Sequence, residues 1–170
     1  MAPMNRTVRD GVAVGLIAYV AVAVFYAGFD VLAARDTLYT VDLLGKAFFR
    51  GLRDAAVLQL PSEPDLTAIF LYNGLHLFLS LGIGLTVVWL VERADRGPAQ
   101  AYVSLFVIVA GFFVTILAVG VLTGPIRPLL PTWSIVAANA YAVVLAGAYL
   151  LWRRRGVWRK LMPFLGAAGR

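Results

Sequence analysis

The sequence predicts an all-α integral membrane protein: a four-transmembrane-helix bundle with an extra interfacial amphipathic helix between helices 1 and 2. Three observations carry this. The 170 residues are 61% hydrophobic and only 14% charged, whereas a soluble domain carries roughly 25% charge. The mean hydropathy is +0.84. Charge is also absent from four long stretches, 11–29, 66–91, 97–126 and 128–152. Crossing a hydrocarbon core about 30 Å thick takes about 20 apolar helical residues, so each stretch is long enough for one crossing and none for two. Barrel strands would instead alternate polar and apolar residues over about ten positions.

The first membrane helix is expected over 10–33. A cleavable leader is its rival, with 31–33 as a weak cleavage site. Its uncharged core is longer than a usual leader core, Tyr19 and Tyr26 interrupt it, and Asp10 sits among the leading basic residues, so a retained helix is expected. The second helix is expected over 66–91. The third, over 100–123, is bracketed by Pro98 and Pro125. The fourth, over 132–152, is opened by Pro131, where a missing N–H leaves no bond unmade.

Residues 30–65 form the one long connection. Leu43, Leu44, Ala47, Phe48, Leu52 and Ala55 share a helical face, while Asp42, Lys46, Arg50, Arg53 and Asp54 fall elsewhere. This spacing predicts an amphipathic helix over about 40–56 lying in the membrane interface, with Thr40 as its N-cap and Asp42–Lys46 as an i,i+4 pair, ended by Pro61 and Pro64. Most such helices are connectors. A lid, or a docking surface that uses Phe49, is the functional alternative.

Lys and Arg divide ten to five between the two sides, the richer side holding both termini. The rule that positive loops stay inside then puts both termini in the cytoplasm, and in a bacterium the chain in the inner membrane. The net charge of +6 is read as this orientation signal and not as a nucleic-acid footprint. The tail 153–170 mixes Trp with basic residues, and Arg153, Arg154, Arg155, Trp158, Arg159 and Lys160 are expected to meet anionic lipid headgroups.

With no cysteine and a single histidine, the chain has no disulfide, thiolate metal site or multi-histidine metal site of its own. Paired intramembrane carboxylates, G-x-S-x-G, H-E-x-x-H and phosphate-cradling glycine loops are missing from the sequence. No catalytic and no metal-ligating residues are therefore expected.

Polar groups in hydrocarbon need partners and are functional candidates by default. Asn73, His76 and Ser80 share a face of the second helix, with Tyr72 one turn from His76. Asn73 lies about 10 Å below the outer end at 1.5 Å per residue. Asn139 and Thr115 reach similar depths on the fourth and third helices, and Tyr26 and Asp30 do so on the first. The expectation is that Tyr26, Asn73, His76, Thr115 and Asn139 converge inside the bundle with Asp30 at its mouth. Such a cluster is either a pin that fixes helix pairing or a binding site for haem, quinone or lipid. Small residues at Gly11/Gly15, Ser80/Gly84, Gly120/Gly124 and Ala138/Ala142/Ala146 are expected at helix contacts, within the chain or in a homo-oligomer. The function expected is that of a non-catalytic accessory, assembly or stabilising subunit of a larger membrane complex; the alternative is a ligand- or cofactor-binding bundle centred on His76.

Overall fold

A computed structural model describes residues 6–52, 54–58, 63–94 and 96–153. The elements run α1 (Arg6–Leu32), α2 (Tyr39–Phe49), a single turn α3 (Ala55–Leu58), α4 (Leu66–Ala94), α5 (Pro98–Leu122), a 3-10 turn at Gly124–Ile126, and α6 (Thr132–Arg153). No strand occurs among the described residues. Four of these helices, α1, α4, α5 and α6, are long and apolar enough to cross a membrane. Only a helix satisfies every backbone N–H and C=O within its own segment, which is the condition that hydrocarbon imposes.

Helix α1 is the hub: it packs along α4 on one side and α6 on the other, while α5 leans mainly on α4. At the α1–α4 seam the two predicted small-residue pairs meet each other. A Cβ added to Gly84 would strike the Gly11 carbonyl oxygen and lie 2.5 Å from the Gly15 nitrogen. One added to Gly15 would lie 2.7 Å from both the Leu81 Cα and the Ser80 oxygen. Backbone touches backbone here, and no residue larger than glycine fits at Gly15 or Gly84. The alanine stripe of α6 is also buried, with Ala138 at 0% exposure. A Cβ added to Gly120 or Gly124 would meet nothing within 4 Å, so that pair makes no close helix contact among the described residues.

Two apolar clusters hold the ends. Val14, Val88 and Ala146 join α1, α4 and α6 near the N-terminus of α1. At the other end Leu43, Leu44 and Ala47 of α2 pack on Ile126, Leu129, Leu130 and Ile135. Helix α2 therefore buries Leu43, Leu44 and Ala47 on the end of the bundle, while Phe48 and Leu52 of the predicted face stay exposed. It is also shorter than the predicted 40–56. Gly51 takes φ +67, open to glycine without strain, and the Leu52 N–H turns back to the Lys46 carbonyl. Thr40 is not the N-cap. Leu38 occupies that position without a side-chain bond, and the cap arrives from α1 instead: Asp30 accepts the Thr40 N–H at 2.8 Å and the Thr40 hydroxyl at 2.6 Å.

The polar face of α2 is tied to the chain just before α4. Lys46 bonds Asp42 at 2.6 Å, as the i,i+4 spacing predicts, and also the Glu63 carbonyl. Asp42 accepts the Asp65 N–H, and Arg50 forks onto the Asp65 carboxylate at 2.7 and 3.2 Å. That guanidinium, with the Ala68 N–H behind it, holds the Asp65 carboxyl down at about 2. The tail residues Arg154, Arg155, Trp158, Arg159 and Lys160 lie outside the described residues; Arg153 ends α6.

Two predictions follow from this geometry. Gly84→Ala is expected to destabilise the bundle by about 1–3 kcal/mol, the usual penalty of overpacking, while Gly111→Ala, where a Cβ meets nothing within 4 Å, does not; reversible unfolding in mixed micelles compares them. A carboxyl whose folded pKa is depressed contributes stability above its unfolded value, and that contribution is lost as pH falls through the folded value. The Arg50–Asp65 tie should therefore hold at neutral pH and loosen as pH falls from about 4, the ordinary carboxylate value, to about 2. Faster amide exchange across Tyr39–Phe49 in that window is the readout.

Candidate functional site

One turn beyond the glycine contact, toward α2, the α1–α4 seam changes character. Tyr19 follows Gly15 on α1, and His76 precedes Ser80 on α4. Their rings stand 5.3 Å apart, and Tyr72 lies on the other side of His76 at 6.2 Å. The Tyr19 hydroxyl donates to Asn73 Oδ1 at 3.1 Å, and Asn73 Nδ2 donates to the Ile69 carbonyl. Phe48 of α2 packs on Tyr72 at 5.9 Å and closes the top of the row. Tyr72 itself packs against the apolar cluster under α2.

The predicted candidates thus divide. Asn73, His76 and Tyr72 come together, with Ser80 buried one turn below them. Tyr26 packs against the same apolar cluster under α2 as Tyr72. Asp30 is buried at 1% exposure and occupied in capping α2. Thr115 and Asn139 each bond a carbonyl of their own helix, at Gly111 and Ile135, both 2.8 Å. Asn73 and His76 are thus brought together with Tyr72, and among the described residues no side-chain hydrogen bond joins Thr115 or Asn139 to them.

Tyr19 was not singled out by sequence reading, yet it supplies the interhelical bond of the cluster. Its signal was present, since Tyr19, Tyr26 and Asp30 repeat at seven and four residues along α1, the spacing of one helical face. Ser104 was missed as well; it is buried at 1% exposure on α5, and its hydroxyl has no hydrogen-bond partner.

Chemically the cluster is neutral. The basic groups of the α2 end are committed elsewhere: Arg35 to the Leu129 carbonyl and the Tyr39 ring, Lys46 to Asp42 and Glu63, Arg50 to Asp65. Among the described residues no group of three His, Cys, Asp or Glu could hold a metal ion. His76 makes its ring contacts, but among the described residues neither of its ring nitrogens, nor the Tyr72 hydroxyl beside it, has a hydrogen-bond partner. A neutral imidazole carries one donor and one acceptor, and His76 is half-buried.

Four apolar helices around this seam make the chain a multi-pass membrane protein. Compared with known protein families, curated proteins and solved structures, it matches none.

Two substitutions separate pin from cap. Tyr19→Phe removes one interhelical bond and should cost only about 0.6 kcal/mol, the mean for such bonds in a membrane. Asp30→Ala strands the buried Thr40 N–H and should cost about 1–3 kcal/mol. Parallel unfolding of the two variants checks the order.

Proposed function

We propose that the protein is a non-catalytic accessory, assembly or stabilising subunit of a larger membrane complex. The observation that supports this best is the state of α5. It is the most apolar span, with a mean hydropathy of 2.9, and it buries only Ala101 and Ser104. Tyr102, Phe106, Phe113, Leu117 and Val121 stand exposed along one of its faces. A partner helix can lie along that row without disturbing the α1–α4–α6 packing. Both termini are assigned to the cytoplasm, and in a bacterial cell the chain to the inner membrane, on the ten-to-five division of Lys and Arg. Anionic headgroups are the proposed partners of the basic tail, and a second copy of the chain is the other candidate neighbour.

A photo-crosslinking residue in place of Phe113, illuminated in native membranes, tests this reading. A discrete adduct with a second polypeptide is expected, absent when the same probe replaces the half-buried Phe112. Lipid adducts alone at both positions would end the proposal.

A second reading is favoured by a different observation, the His76 imidazole set between Tyr19 and Tyr72 with ring nitrogens that bond no other described residue. In it the Tyr19–Asn73–His76–Tyr72 cluster binds a small ligand or cofactor, haem, quinone or lipid. Mild-detergent purification with an optical spectrum and mass spectrometry on one sample should then reveal a bound molecule that His76→Ala loses.

A further inference from the structure

Three features of the His76 site narrow what it can hold. The first is depth. His76 stands about 15 Å along α4 from its start at Leu66, counting 1.5 Å per residue, which is inside the hydrocarbon layer. A molecule reaching it travels through lipid.

The second is charge. Tyr19, Tyr72 and Asn73 surround the imidazole, and the cations nearest the α2 end already face carboxylates, carbonyls or rings. Nothing there would neutralise a phosphate or carboxylate, so the occupant is neutral.

The third is shape. Phe48, Tyr72, His76 and Tyr19 follow one another at 5.9, 6.2 and 5.3 Å between ring centres, and a continuous aromatic row of this kind suits an offset-stacked or edge-on flat ring. Tyr19 is paired with Asn73, and Asn73 with the Ile69 carbonyl. The ring nitrogens of His76, and the Tyr72 hydroxyl next to them, are left to offer donors and acceptors.

Resting on the ligand-binding reading, the geometry points to a neutral, lipid-soluble molecule with an oxygen on a flat ring, of the quinone or phenol class, hydrogen-bonded to a ring nitrogen of His76. Helix α2 contributes Phe48 to the wall, so the cap of the bundle is also part of the site. Binding is non-covalent and moves no electrons.

The test uses the full chain in mild detergent, stripped of lipid and titrated with a short-chain benzoquinone, with binding read by quenching of tryptophan fluorescence. Saturable binding is expected to weaken at least tenfold in His76→Leu and to recover in His76→Gln, whose amide retains a donor and an acceptor. Thermal unfolding of each variant separates lost binding from lost fold, and Tyr19→Phe provides a variant altered beside the site with the imidazole intact. Equal binding by wild type and a folded His76→Leu overturns the inference, as does a folded wild type that never saturates. A haem band lost in His76→Leu overturns the ring-oxygen assignment and leaves the ligand-binding reading standing. Nitrogen NMR showing His76 bonded only to water in lipid, with no molecule co-purifying, brings down both.

Discussion

The fold depends on one contact, the backbone-to-backbone approach of Gly11 and Gly15 on α1 to Ser80 and Gly84 on α4. Hydrocarbon offers helices no hydrophobic reason to leave it, so association rests on close packing and hydrogen bonds. Glycine within a helix is about 1 kcal/mol less favourable than alanine in water. In this seam it is what allows dispersion contacts along two main chains. The contact also fixes the register of everything above it. With Gly15 set against Ser80, Tyr19 and His76 one turn farther on meet at the same level, and the polar cluster is a geometric result of the glycine seam below.

The other end of the bundle is organised by polar groups that serve structure. Asp30 is a carboxylate near the end of a membrane helix, a position that usually signals function. Here its two oxygens take the N–H and hydroxyl of Thr40, at the positive end of the α2 dipole. The apolar stripe of α2 then closes over Ile126, Leu129 and Leu130. These residues belong to the short link between α5 and α6, so a segment without a long helix of its own completes the core at that end.

Much of this was legible in the sequence because lipid imposes a coarse grammar. Charge-free length gave the four spans to within a few residues, with the first starting at Arg6 and the second reaching Ala94. Small-residue spacing picked out both halves of the α1–α4 contact, though not that they face each other. Periodicity found the stripe of α2, but not that Leu43, Leu44 and Ala47 pack on the end of the bundle, since a greasy face suits protein or lipid. The site was half legible. Depth could be counted along each helix, so the level of His76 was readable. Facing could not, because rotation about a helix axis is set by packing, and Asn139 and Thr115 bond their own Ile135 and Gly111 carbonyls. Tyr19 escaped notice because it was weighed as an interruption in an apolar core and not as a donor.

The way α2 is held has a consequence for how the chain matures. An isolated helix shorter than about 12 residues is marginal in water, and this one has 11. The Thr40 N–H in its first turn finds its acceptor on α1, and its basic side chains find theirs at Glu63 and Asp65 just before α4. Neither support is complete until both flanking spans are inserted and touching. During synthesis α2 therefore lacks both supports until α1 and α4 have paired, and its formation reports that pairing.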